Sequence, residues 1–207
     1  MLFRSIPVPP LMTNCYLLGD EETKLCCLVD PGGAAAKLIQ ETRSAGYTLA
    51  AILLTHGHYD HTTGVSEILK EFPDIPVYIH EKELLADGCL DRNFFMAKND
   101  NIRLIEDGDT VTVGGLSFQV IITPGHTAGS AVFLIDDKML AGDTLFAGSC
   151  GRCDLPGGSM EDMMASLRRL ADIKGDYTVY PGHGPFTTLS HERDYNAYMV
   201  QACRQGR

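Results

Sequence analysis

Apolar residues fall along the chain in short runs of strand length, punctuated by glycine, proline and aspartate, with mixed apolar and polar stretches between them. Cys15–Leu18 and Lys24–Asp30 read as two strands joined across a Gly-Asp-Glu-Glu turn, and DPGG at Asp30–Gly33 breaks the chain. Ala34–Ala45 has helical composition, with Gly46 as its stop. Leu49–Thr55 (LAAILLT) is continuously apolar, which predicts a strand buried on both faces. A helix over Val65–Phe72 ends before Pro73; Pro76–His80 is a strand, Glu81–Ala86 a helix and Cys89–Asn101 irregular. Val111–Val113, Leu116–Thr123, Ala131–Ile135 and Lys138–Ala141 are strands separated by Gly or Asp turns. Ser159–Ile173 reads as a helix with Ser159 as N-cap and Asp162 completing a capping box. Thr178–Tyr180 is a strand before PGHG, and Ser190–Ala202 a single closing helix.

Several of these strands are joined by turns too tight for a crossover and must pair antiparallel. The pattern therefore predicts an α/β protein of mixed sheets covered by helices. Neither GxGxxG nor GxxxxGK(S/T) occurs, which disfavours a mononucleotide fold. The 207 residues suit one domain, 1–207, with room for a sizeable core. The formal net charge of −10 argues against nucleic acid or an anionic membrane as partner. No stretch approaches the roughly 18 apolar residues of a membrane span, and the N-terminal segment has no signal-peptide run. Seven cysteines, an odd number without small-disulfide spacing, are expected to be reduced thiols in a cytoplasmic protein.

The strongest chemical signal is THGHYDHTTG, Thr55 to Gly64, where His56, His58, Asp60 and His61 stand at i, i+2, i+4 and i+5. On one straight helix those positions scatter around the axis; on a loop capping a strand they can fan around a metal. Three further Gly-flanked motifs follow: TPGHTAGS with His126, LAGDTLF with Asp143 and YPGHGP with His183. Each candidate sits at the end of a predicted strand, where open sheets place their ligands. Imidazole and carboxylate suit Zn²⁺, and also Fe and Mn; no cysteine lies inside the four motifs, against a structural thiolate site.

The order HxHxDH, TPGHT, GD, PGHG resembles the metallo-β-lactamase superfamily from about Asn14 to the C-terminus. The resemblance implies a four-layer αββα sandwich with a dinuclear site at one edge. By it, His56, His58 and His126 hold the first metal, Asp60, His61 and His183 the second, and Asp143 bridges both. DPGG matches the family's early Asp motif, which makes Asp30 a support behind the ligands. GRCDLPGGS (Gly151–Ser159) and SHERDYN (Ser190–Asn196) are similar to segments of short glyoxalase II-like hydrolases. Full-length hydroxyacylglutathione hydrolases add a helical glutathione-binding domain after this one, and the expectation here is a chain without it.

The implied function is hydrolysis of a small, anionic acyl thioester of the hydroxyacyl-glutathione kind. A metal-bridging hydroxide attacks the carbonyl, two divalent ions (zinc foremost) lower the pKa of its parent water, and Asp60 orients the nucleophile or passes its proton. Two ions, Asp60, Asp143 and the hydroxide sum to about +1, enough to draw an anion into an acidic protein. Arg152 is the candidate for a substrate anion, against a surface pairing with Asp154; Tyr59 and Phe146 are candidate pocket residues. His80 and His191 read as structural and exposed, Cys150-Gly-Arg-Cys153 as a loop without redox function, and Met160, Met163 and Met164 as core fillers. The rival reading is a mononuclear iron persulfide dioxygenase using His56, His126 and Asp143; lactone hydrolysis is a further alternative.

Overall fold

The structure is a computed structural model that describes residues 1–85 and 100–205. Cys89 and nearly all of the stretch expected to be irregular lie outside the described residues. Six strands form one sheet in the order β1-β2-β3-β4-β5-β6: β1 Leu2–Val8, β2 Thr13–Gly19, β3 Leu25–Val29, β4 Thr48–Leu53, β5 Val77–His80 and β6 Ile102–Ile105. A second sheet runs β14-β13-β10-β9-β8-β7, from β7 Thr110–Val113, β8 Leu116–Ile122, β9 Ala131–Ile135, β10 Lys138–Gly142, β13 Thr178–Pro181 and β14 Thr187–Thr188. A small hairpin pairs β11 Leu145–Phe146 with β12 Ser149–Cys150. Both large sheets are mixed, as expected: β3-β4-β5-β6 and β10-β13 pair parallel, the other neighbours antiparallel.

Period-two alternation divides the side chains among three apolar layers. Tyr16, Leu18, Val29 and Leu53 of the first sheet meet Phe118, Val120, Phe133 and Leu140 of the second. Their neighbours Cys15, Leu17, Leu28 and Ile52 face outward, onto Leu38 and Ile39 of α1 (Ala35–Ser44) and Val65 and Ile68 of α3 (Val65–Glu71). On the far side, Val132, Leu134 and Met139 pack on Met163 and Leu167 of α5 (Met160–Ala171) and Met199 of α7 (Ala197–Gln205). The result is the αββα sandwich. No helix among the described residues is long and apolar enough to cross a membrane.

Four features depart from the sequence reading. Strands β1 and β6 were not expected: β1 is an edge strand interrupted by Arg4, Ser5 and Pro7, so its pattern is weak, and an edge tolerates the proline. The capping box at Ser159 is half-formed. Ser159 Oγ accepts from Asp162 N at 3.2 Å, but Ser159 N donates to Gly125 O at 2.8 Å and not to the Asp162 side chain. Met160 is 47% exposed and fills no core. The closing helix is two, α6 (Leu189–Tyr195) and α7, because Asn196 is extended (φ −74°, ψ 113°). Its buried side chain caps α7, accepting from Tyr198 N, and donates to Ser149 O and to Glu192. Glu192 in turn accepts from Gly148 N at 2.8 Å, so the SHERDYN segment holds the β11–β12 hairpin in place.

Candidate metal centre

Strands β4, β8, β10 and β13 end at one edge of the sandwich, and each is followed by one of the four motifs. After β4 the chain runs through Thr55-His56-Gly57-His58 into the single turn α2 (Tyr59–Thr62), which carries Asp60 and His61. His126 lies in the β8–β9 turn, Asp143 directly after β10, and His183 after β13. Two glycines permit this convergence. A Cβ on Gly32 would sit 1.5 Å from Asp60 O, and one on Gly182 would sit 2.2 Å from Asp143 Oδ1. The PGHG turn is tied to β2, with Asn14 Nδ2 donating to Pro181 O at 3.0 Å and to Gly184 O at 3.1 Å.

Seven donor side chains meet there. The ligand atoms of His56, His58 and His126 lie within 4.8 Å of one another, as do those of Asp60, His61 and His183. Asp143 faces both groups: Oδ1 is 3.4 Å from His61 Nε2, while Oδ2 is 3.5 Å from His126 Nε2 and 3.7 Å from His183 Nε2. Asp30 also lies beside His56 and His61, but its oxygens are engaged elsewhere. Oδ1 accepts from Thr55 N (2.8 Å), and Oδ2 accepts from Thr55 Oγ1 (2.6 Å) and faces His61 Nδ1 (3.0 Å).

These contacts settle the imidazole tautomers. The one proton of Thr55 Oγ1 goes to Asp30, so toward His56 Nδ1, 3.0 Å away, the hydroxyl accepts, and His56 carries its proton on Nδ1. His61 Nδ1 donates to Asp30 and His126 Nδ1 to Arg152 O at 2.7 Å. All three therefore turn Nε2 inward. His56 Nε2 and Asp143 Oδ1 are buried without a hydrogen-bond partner. A buried acceptor left so costs about 1–3 kcal/mol. Unpartnered lone pairs converging from imidazoles and carboxylates fit divalent cations, and the donor set is the nitrogen–oxygen kind those ions take.

Charge balance without a cation is correspondingly strained. Burial and the surrounding imidazoles hold His56 well below the ordinary range, and burial with His126 brings His58 down to about 4. Burial opposes a charged His61, but the carboxylates of Asp143, Asp30 and Asp60 outweigh it and bring it up to about 9. For Asp60, burial works upward, yet the hydrogen bond from His183 and the charge of His61 bring it down to about 2.

One support was invisible in the sequence. Glu83, in α4 (Glu81–Leu85), is 1% exposed and accepts from Gly57 N at 2.8 Å and Gly129 N at 2.7 Å, bracing the loops of His56, His58 and His126. No motif marks it. The remaining histidines stand apart: His80 Nδ1 accepts from Lys82 N, and His191 lies exposed against the Tyr195 ring.

The donors open into a cleft of about 730 Å³ lined also by Leu11, Tyr59, Phe146, Cys150, Arg152 and Leu155. Arg152 meets its neighbour in a two-point ion pair, Nε to Asp154 Oδ1 at 2.7 Å and Nη2 to Oδ2 at 2.8 Å, on the exposed rim. Cys150 and Cys153 are free thiols, and burial pushes Cys150 up to about 11.

Residues 8–183 match the Metallo-beta-lactamase superfamily. The "Probable metallo-hydrolase YqgX" of Bacillus subtilis (strain 168) is 35% identical over 209 residues, 96% of this chain and 98% of that protein. The chain belongs to the metallo-beta-lactamase superfamily. Another relative in it, the "Probable polyketide biosynthesis zinc-dependent hydrolase BaeB" of Bacillus velezensis, is 36% identical over 82% of this chain and 72% of its own length. Among solved structures, the BLEG-1 B3 metallo-beta-lactamase superposes with a TM-score of 0.83 at 34% identity, covering 96% of this chain and all of that one. TTHA1623 in a di-iron-bound form gives 0.81 at 35% identity (94% and 99%), and ETHE1 from Myxococcus xanthus 0.82 at 28% (100% and 92%). Superfamily and donor cluster together make this a metal-dependent hydrolase using divalent ions. A zinc-dependent relative and a di-iron neighbour leave zinc and iron both compatible with the donors.

Proposed function

We propose that the protein hydrolyses a thioester by the chemistry of glyoxalase II. In this reading the site holds two metal ions, His56, His58 and His126 on one, Asp60, His61 and His183 on the other, and Asp143 between them. The observation that carries it is the pair of three-donor groups sharing Asp143 at the floor of a cleft. The GRCDLPGGS segment supports the subtype, since it lines that cleft and its Arg152 carbonyl orients His126.

Bound divalent ions supply a Lewis acid for the carbonyl and a water acidified toward neutral pH. The chain's own residues do the rest. Asp30, Thr55 and the Arg152 carbonyl keep the protons of His61, His56 and His126 on Nδ1, away from the cleft. In this reading Asp60, whose Oδ2 lies 3.2 Å from Thr13 Oγ1 and 3.0 Å from His183 Nε2, orients the attacking water and accepts its proton. A thiol leaves as thiolate at a pKa of roughly 8.5, so no strong acid is needed on the leaving side. The described residues form one sandwich, which we take to act as a single catalytic unit. The six described cysteines are free, in keeping with a reducing cytoplasmic setting.

A second reading, persulfide oxidation by one iron on His56, His126 and Asp143, is supported by the likeness to ETHE1 and by the 3.5 Å approach of His126 to Asp143. Elemental analysis of protein purified without added metal, with thioester and lactone panels, decides between them. Two equivalents of zinc, iron or manganese and thioester turnover are expected. One equivalent of iron with oxygen uptake on a persulfide overturns the proposal.

A further inference from the structure

We infer that the cleft beyond the reacting bond is built for an uncharged hydrocarbon chain, making the substrate an apolar thioester rather than a conjugate of an anionic thiol. The inference rests on the thioester reading above and names its substrate class. Five apolar side chains converge on the cleft from four separate segments: Leu11 from the β1–β2 turn, Tyr59 from the start of α2, Phe146 from the β11–β12 hairpin, and Leu155 and Pro156 from the loop after Arg152. None of them holds up the core. Leu11 is 52% exposed and Tyr59 47%, so two large apolar surfaces stand in water at the mouth of a polar reaction site. Contiguous exposed apolar surface beside a cleft marks what the cleft receives.

The charge pattern points the same way. Among the described residues lining the cleft, Arg152 is the one lysine or arginine. Its Nε and Nη2 are engaged by the two oxygens of Asp154, so the pair carries no net formal charge, and an incoming carboxylate has to share the guanidinium with a neighbour two residues away. The positive end of the cleft is thus the metal floor, where a thioester head binds, and the walls above it are apolar. A volume of about 730 Å³ takes the head and a chain of some eight carbons with room to spare, given the ~30 Å³ share of a water-sized group. The hydrocarbon belongs to the acyl group or to the thiol; either satisfies the walls.

The experiment measures kcat/KM of the metal-loaded protein on three sets of substrates: acetyl to octanoyl thioesters of N-acetylcysteamine, acetyl thioesters of ethyl to octyl thiols, and lactoylglutathione. Transfer of one methylene from water is worth about 0.8 kcal/mol, or about fourfold in kcat/KM. One of the two chain series is expected to rise about fourfold per methylene over at least four methylenes, and the rising series identifies which side carries the chain. Phe146→Ala, or Leu11→Ser in the exposed turn, lowers the ratio of longest to shortest substrate by about tenfold. Flat series with lactoylglutathione at least tenfold better overturn the inference and leave the thioester reading standing. Calorimetric binding of acetohydroxamate to octanohydroxamate separates the two ideas when no thioester is cleaved. Affinity rising about fourfold per methylene then upholds the apolar wall while the thioester reading fails, and constant affinity overturns the wall itself.

Discussion

Replacing Glu83 tests whether the first donor group is held from behind. Its carboxylate bridges Gly57, which separates His56 from His58, and Gly129, three residues beyond His126, so one side chain fastens loops from opposite sheets. Each hydrogen bond to a charged acceptor contributes about 1.5–3 kcal/mol. Glu83→Gln keeps one acceptor oxygen but turns an NH₂ toward the other backbone N–H, losing one bond. The expected cost is about 2 kcal/mol. Glu83→Ala leaves both N–H groups buried and unpaired, for a cost of about 4 kcal/mol. Because the two glycines flank His56, His58 and His126, which the proposed assignment places on one metal, that metal is expected to bind about 10- to 100-fold more weakly, in line with other supports behind ligands. Urea unfolding of the metal-depleted protein reads the first effect, and competition with a chromophoric chelator the second. A Gln variant within about 0.5 kcal/mol of the parent refutes the count of hydrogen bonds. A destabilised variant with unchanged metal affinity refutes the claim that Glu83 positions the donors.

Gly182→Ala places a Cβ 2.2 Å from Asp143 Oδ1 and 2.6 Å from His61 Cε1; it is expected to lower metal content below that of the parent protein by elemental analysis, and unchanged content contradicts the packing argument. Asn196→Ala removes a fully buried amide that ties the hairpin to both closing helices, with an expected loss of about 3 kcal/mol in chemical denaturation; a loss under about 1 kcal/mol counts against that role. Metal-depleted protein is expected to have its highest Tm near pH 6.5. His61, raised to about 9, contributes stability that is complete below the unfolded value of 6.5 and disappears as pH rises toward 9, while His58, lowered to about 4, withdraws stability as pH falls from 6.5 toward 4. A metal bound as proposed would hold His61 deprotonated and remove the alkaline decline, and a flat profile from pH 6.5 to 9 in the depleted protein refutes the assignment.

What the sequence discloses depends on how local the physics is. The donors are legible because a metal needs particular side chains in short turns, and four such turns stand out against the chain's background of seven histidines. Strands are legible wherever a short apolar run is bounded by turn residues, as in Ala131–Ile135, where every residue is buried and the predicted and observed bounds coincide. The edge strand β1 escaped because one flank meets solvent and its pattern blurs; the split at Asn196 escaped because the helical periodicity continues through it, while the reason for the break lies in a hairpin 47 residues away.

The supports behind the donors illustrate the same limit at the site itself. Which residues can offer donors to a metal is written in HxHxDH, but which nitrogen faces the cleft is not. His56 presents Nε2 because Thr55 has already given its proton to Asp30, 25 residues upstream; His126 presents Nε2 because a carbonyl 26 residues downstream takes the proton from Nδ1. A carbonyl can only accept, so the last of these requires no particular side chain at position 152, and no motif can record it. Glu83 is the converse case. The side chain matters and its partners are backbone amides, so an acidic residue in a short surface helix looks like any other until the fold brings Gly57 and Gly129 against it. Donor identity is therefore a property of short segments, whereas donor orientation is a property of the assembled sandwich. Substitutions behind the donors are the ones that separate the two.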